Sequence, residues 1–247
     1  MNKTETVNIS RRSFVEKSAT AAAALTIAPG VFLNQVHAKP AAQAVTDAKR
    51  WGLLIDTAKC ASGCTSCVSA CFEENGIVSH GRPLTDQQWI RKVKLKDKQT
   101  NHVVSLPVMC QHCEKPPCVD VCPTGASFKR DDGIVLVDRH NCIGCRYCMM
   151  ACPYKARSFA HEGVDAIVDY PPRGKGTVES CTMCVHRVDV DRIPACVEAC
   201  ADAEHGAMIF GDLKDPQSEI SKQLVKHGGT QLRADLGLNT GVRYQGI

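Results

Sequence analysis

Residues 142–153 read CIGCRYCMMACP, which places Cys142, Cys145, Cys148 and Cys152 at the spacing C-x2-C-x2-C-x3-C and ends on Pro153. Cysteines two residues apart on an irregular loop can curl around one inorganic cube. The three-residue step opens a helical turn that carries Cys152 away toward a second site. A run of this form therefore supplies three thiolates to one [4Fe-4S] cube and the fourth to another, so it requires a partner run. Upstream, CQHCEKPPCVDVCP supplies Cys110, Cys113, Cys118 and Cys122 and ends on a similar Cys-Pro pair. Two more runs flank these: Cys60, Cys64, Cys67 and Cys71 in CASGCTSCVSAC, and Cys181, Cys184, Cys196 and Cys200 in CTMCVHRVDVDRIPACVEAC. All 16 cysteines of the chain are used, four per run, which counts to four [4Fe-4S] clusters.

The rest of the composition fits that count. The 247 residues hold 6 Phe, 4 Tyr and 2 Trp, too few for an aromatic-anchored core to carry the fold alone, so whatever the cysteines grip must contribute. Structural zinc also uses C-x2-C pairs but does not need the x3-Cys-Pro ending of Cys122-Pro123 and Cys152-Pro153. A covalent haem would need C-x-x-C-H, and Val68, Glu114, Arg146, Met149 and Val185 stand where that histidine would be. A net charge of +4, without a basic block interleaved with aromatics, argues against nucleic acid. No nucleophile elbow, HExxH or GxGxxG motif is present, and there is no acid-base set, so the chain reads as no enzyme by itself. The longest apolar run, Ser18 to Leu33, has 16 residues with Pro29-Gly30 inside it. That is short of the roughly 20 a spanning helix needs, so membrane attachment is expected only through partners.

Residues 10–17, SRRSFVEK, followed by an Ala-rich stretch and Val36-His37-Ala38, resemble a twin-arginine export signal. Cleavage is expected after Ala38, with a linker over 39–50. An exported, cysteine-rich chain would ordinarily be read as a disulfide framework. Twin-arginine export instead carries proteins that fold and load cofactors first, so the cysteines arrive occupied. The expected location is the periplasm, peripheral to the inner membrane.

Around the runs the pattern predicts an α+β fold with short β-hairpins and helices. Trp51 to Asp56 reads as a strand leading into run one, and Ala207 to Phe210 as a strand after run four. Gly125 to Arg130 and Ile134 to Val137 flank Asp131-Asp132-Gly133 as a hairpin, and Trp89 to Leu95 with Val103 to Leu106 form another. The modules are expected to be nested as an internal repeat over 51–212: an inner one over about 103–160, an outer one from 51–102 and 161–212. Beyond it, 213–247 is expected to give a helix from Asp215 to His227, ended by Gly228-Gly229, and a tail lying along the surface or a partner. Arg173-Gly-Lys-Gly-Thr177 lacks a full phosphate-loop pattern and reads as a flexible basic loop. His112 lies inside run two and His186 beside run four, as packed or exposed side chains or as hydrogen-bond donors behind the ligands. Lys115, Arg146, Lys155, Arg157 and Arg187 lie near the loops, as surface charges or as cations that favour reduction of a nearby cluster.

From about Trp51 to Gly211 the four-run architecture resembles the four-cluster iron-sulfur subunits that accompany membrane quinone oxidoreductases and molybdopterin reductases. Its modules are bacterial-ferredoxin-like and tandem. Within that family, CQHCEKPPCVDVCPTGASFKR, DGIVLVDRHNCIGCRYCMMACPYKARSF, PRGKGTVESCTMCVHR and the tail LGLNTGVRYQGI are most similar to a periplasmic subunit of dissimilatory sulfur metabolism. The resemblance implies four ligand sets: Cys60, Cys64, Cys67 with Cys200; Cys181, Cys184, Cys196 with Cys71; Cys110, Cys113, Cys118 with Cys152; and Cys142, Cys145, Cys148 with Cys122. Run one departs from the pattern with C-x3-C, and neither Cys71 nor Cys200 is followed by Pro, which leaves the outer module's cluster type open. The implied function is relay of single electrons between an integral membrane quinone-interacting subunit and a multihaem cytochrome c. The alternative is the same role in a periplasmic molybdopterin oxidoreductase.

Overall fold

The computed structural model describes residues 44–164, 173–203 and 205–247, so the expected export leader, its expected cleavage point and the first part of the expected linker lie outside the described residues. Residues 43–247 form one unit. In chain order its elements are β1 (Trp51–Asp56), α1 (Ser66–Glu74), β2 (Ile90–Lys96), β3 (Val103–Met109), α2 (Pro117–Asp120), β4 (Ser127–Lys129) and β5 (Val135–Val137). There follow α3 (Tyr147–Ala151), β6 (Arg157–Phe159), β7 (Val178–Ser180), α4 (Val185–Val188), α5 (Ala195–Asp202), β8 (Met208–Asp212), α6 (Glu219–His227) and β9 (Val242–Gln245). None of the described helices is long and apolar enough to cross a membrane.

The strand that opens run one and the strand that closes run four are antiparallel neighbours, from Trp51 opposite Asp212 to Ile55 opposite Met208. β1 is central in the sheet β8-β1-β9, which is why its middle, Leu53-Leu54-Ile55, is a continuous apolar run rather than an alternation. The other pairings are local hairpins, β2 with β3, β4 with β5, and β6 with β7. At the β4–β5 turn Gly133 adopts φ 88°, a left-handed value that a side chain would strain. The helices then place the cysteines. Cys67 and Cys71 on α1, like Cys196 and Cys200 on α5, are four residues apart and so share a helix face.

The tail does not lie along the surface as expected. β9 completes the sheet by pairing parallel to β1, Leu53 opposite Val242 and Asp56 opposite Gln245. Val242 and Tyr244 point inward and are fully buried, and the Tyr244 hydroxyl donates to Pro107 O at 3.0 Å. α6 begins four residues later than expected, because Asp215-Pro216 form a turn that accepts from the Ser218 amide; Ser218 then caps the helix by accepting from Ser221 N.

Arg173 is likewise no part of a flexible basic loop. Its side chain is 2% exposed and pairs at 2.7 Å with Glu179 on β7, which is 0% exposed and also accepts from Trp89 Nε1 at 3.2 Å. The same guanidinium donates to Gly76 O at 2.6 Å, pinning the loop after α1 to β7. Glu179→Gln leaves that buried cation without its countercharge, and the expected cost is about 3–5 kcal/mol. Anaerobic denaturant unfolding checks this; an unchanged midpoint would show the pair to be dispensable.

Candidate metal centres

Cys60, Cys64, Cys67 and Cys200 line one cavity together with Lys92, Pro107 and Met208. Cys71, Cys181, Cys184 and Cys196 line a second, walled by Leu53, Trp89, Ile90, Met109 and Met183. α1 and α5 pack against each other, so each helix sends one cysteine of its i, i+4 pair to each cavity. Both groupings coincide with sets the resemblance implies.

In the inner module Cys113 has Cys118 and Cys152 as close neighbours, and Cys110 has Cys118. Cys152 Sγ accepts from Ala156 N at 3.5 Å. For the remaining four, Cys142 and Cys148 share an apolar cluster with Val135 and Val178, and Cys142 Sγ accepts from Val178 N at 3.5 Å. Cys122 Sγ accepts from Ser127 N at 3.4 Å, and Cys145 is exposed. These four are grouped by the family pattern rather than by a shared cavity.

The foursomes adjoin one another in succession. Cys67 of the first is a charge neighbour of Cys196 in the second. Cys181 of the second neighbours Cys110 in the third, and Cys118 of the third neighbours Cys148 in the fourth. Half-buried Cys60 and Cys64 lie at one end and exposed Cys145 at the other, while all four cysteines of the third foursome are buried.

The electrostatics fit a cluster better than free thiols. Burial, and then neighbouring sulfurs, push Cys67 up to about 11, Cys113 and Cys181 up to about 12, and Cys71, Cys110 and Cys196 well above the usual thiol range. Thiolates crowded this way need a bound cation to exist at neutral pH, which iron supplies. At the fourth foursome burial is outweighed by the Ser127 amide and the Thr124 hydroxyl, which bring Cys122 down to about 7. Among the described residues no three His, Cys, Asp or Glu side chains converge as ligands of one ion would. Sulfurs spaced around a cavity suit a cube, in which each thiolate takes a different iron.

Three buried donors without a protein partner add to the fit: His112 Nε2, Tyr154 Oη and Arg157 Nε. His112 lies between Cys110 and Cys113, its Nδ1 accepts from Val135 N at 3.0 Å, and Nε2 therefore carries the proton. Burial, and then Arg157, lower the His112 pKa to about 3, so the ring is a neutral donor. Tyr154 neighbours Cys113 and Cys152. Donors gathered at one foursome await acceptors, and cluster sulfurs are acceptors of the right kind.

The flanking cations differ from one another. Lys115, Arg146 and Lys155 are exposed, and Arg187 is neutralised by Glu74 at 2.8 Å and Glu198 at 2.6 Å. His186 also binds Glu74, at 2.6 Å. Only Arg157 of the five touches a run cysteine directly, Nη2 to Cys118 Sγ at 3.1 Å. Lys92 donates to Cys60 Sγ at 2.9 Å. Sequence reasoning missed it, because it arrives from a hairpin 32 residues away with no motif around it.

Two segments, 59–126 and 101–213, match the 4Fe-4S dicluster domain family. The chain is 42% identical to the Hdr-like menaquinol oxidoreductase iron-sulfur subunit 1 of Archaeoglobus fulgidus, over 96% of this chain and 97% of that one. The chain belongs to the 4Fe-4S dicluster family of oxidoreductase iron-sulfur subunits. The arsenate respiratory reductase iron-sulfur subunit ArrB of a Shewanella species is 34% identical over 79% of this chain and 95% of its own. The menaquinone reductase iron-sulfur cluster-binding subunit of Nitratidesulfovibrio vulgaris is 34% identical over 79% and 88%. Like other members of this family, the chain is an electron-transfer subunit of an oxidoreductase complex rather than a catalytic one. Two dicluster domains and 16 cysteines are consistent with four [4Fe-4S] clusters.

Proposed function

We propose that the chain is the DsrO subunit of a DsrMKJOP-type complex of dissimilatory sulfur metabolism. In this reading it is exported by the twin-arginine route to the periplasm and held at the inner membrane by partners. It relays single electrons between a DsrP-like integral membrane quinone-interacting subunit and a DsrJ-like multihaem cytochrome c. The sixteen cysteines named above are its cluster ligands, in the four sets of the family pattern. When bound, each cube takes up and releases one electron, at a potential set by charge, hydrogen bonds and solvent exposure.

The observation that carries the reading is the succession of four neighbouring foursomes, with surface-near cysteines in the first and the fourth. The chain's own residues do the rest. Apolar walls keep water from the second foursome, and helices α1 and α5 fix the step from the first to the second. Ile143, Tyr147 and Met150, 68%, 58% and 76% exposed, surround exposed Cys145 with apolar surface suited to a protein partner. The quinone assignment is favoured by likeness over nearly the whole length to a relative named as a menaquinol oxidoreductase subunit.

Purification of the tagged native chain from membranes in mild detergent tests this. Recovery of an integral membrane subunit together with a multihaem cytochrome c supports the assignment. Recovery of a molybdopterin catalytic subunit instead makes the chain the iron-sulfur subunit of a molybdopterin oxidoreductase.

A further inference from the structure

Arg157 opens β6, five residues beyond the last cysteine of run three, and is 5% exposed. Its Nη1 donates to Ser127 Oγ at 2.7 Å and its Nη2 to Cys118 Sγ at 3.1 Å, while Nε has no partner. Cys148, from the fourth foursome, also lies within its hydrogen-bonding reach, and Cys110 is a further charge neighbour. Among the described residues no carboxylate pairs with it. That sets it apart from Arg173 and Arg187, also enclosed, which are countercharged by Glu179 and by Glu74 with Glu198. A buried guanidinium without a counterion is costly. What faces it here is sulfur from two adjacent foursomes, each of which, loaded, is a dianion by formal count.

We propose that Arg157 is the shared countercharge of the two inner centres, a positioning residue whose single guanidinium raises the reduction potentials of the Cys110/Cys113/Cys118/Cys152 and Cys122/Cys142/Cys145/Cys148 sites together. The inference rests on the four-cluster reading given above. A fixed positive charge between two sites favours the more negative, reduced form of each. Because the fork reaches Cys118 and Cys148 at once, neither site can lose it alone. Removing the charge costs both. The outer foursomes do not feel it in the same way: the first has Lys92, and the second has apolar walls.

The test is a potentiometric titration followed by EPR on the complete holoprotein, comparing the native chain with Arg157→Gln and Arg157→Lys, after iron analysis of each. Lys92→Gln serves to mark the signal of the Cys60 site. Expected for Arg157→Gln is a fall of tenfold or more in the one-electron reduction equilibrium of both inner centres, about 59 mV each, with the outer two unmoved. Arg157→Lys returns both toward the native values. Full iron with all four potentials unchanged, a shift of one inner centre alone, or an equal shift of all four overturns the proposal. Should Arg157→Gln fail to load iron at the inner pair, Arg157→Lys decides: loading with near-native potentials supports a charge role, and failure to load overturns it in favour of a purely structural one. Iron missing from the native chain would instead defeat the four-cluster reading, a result separable from all of these.

Discussion

Cys196→Ser is expected to lower the iron content from about sixteen to about twelve atoms per chain and to cut the relay between its two ends. Cys196 is buried in the second foursome, with Cys67 of the first foursome and Cys181 of its own as neighbours. Serine offers a shorter, harder oxygen ligand in place of a soft thiolate, so the site loses its preference for iron-sulfur chemistry. An unfilled cavity walled by Leu53, Trp89, Ile90 and Met109 also removes folding energy, because binding of such a group is itself part of the folding free energy. The same change at exposed Cys145 is expected to cost one cube while leaving the first three sites reducible from the Cys60 end. Iron analysis with stopped-flow reduction separates the two variants. Full iron in Cys196→Ser would remove this cysteine from the ligand set.

Tyr244→Ala is expected to destabilise the fold by roughly 3–5 kcal/mol, the cost of deleting a large buried ring. Tyr244 is fully buried on β9, its hydroxyl donating to Pro107 O and accepting from Gln111 Nε2 at 3.2 Å. Tyr244→Phe keeps the ring and strands the polar partners, so about 1–3 kcal/mol is expected there. The consequence reaches the third foursome, because the tail also covers it. Glu114 N donates to Leu238 O at 3.0 Å, Cys113 bridges to Thr240, and Leu232 and Leu238 pack beside Cys113, Cys152 and Tyr154. Anaerobic unfolding followed by cluster absorbance measures both variants. A Tyr244→Ala midpoint equal to the native one would return the tail to the status of surface linker.

Features legible in the sequence were those set by local spacing. The Asp131-Asp132-Gly133 turn, the alternation around β2 and β3 and the β1 and β8 segments each carry their signal within a few residues. The cysteine runs, too, encode their loop-then-helix geometry locally, and the family pattern supplied the cross-pairing between runs. The hidden features were non-local. β9 has only Val242 and Tyr244 as its inward alternation, and its partner β1 lies far back in the chain, so nothing near it announces a strand. Arg173 sits between glycines and lysine, a context that reads as solvent-facing, yet Glu179 and Trp89 enclose it. Arg157 was visible as one basic residue among five. Its lack of a carboxylate partner, which distinguishes it, exists only in three dimensions.

Every cysteine of the chain is expected to ligate iron in a [4Fe-4S] cube. Metal analysis combined with EPR of the as-isolated and dithionite-reduced protein, prepared anaerobically, tests it most directly. About sixteen irons per chain, no zinc and interacting signals from reduced clusters are expected. Zinc, or fewer than about twelve irons in protected material, would contradict it.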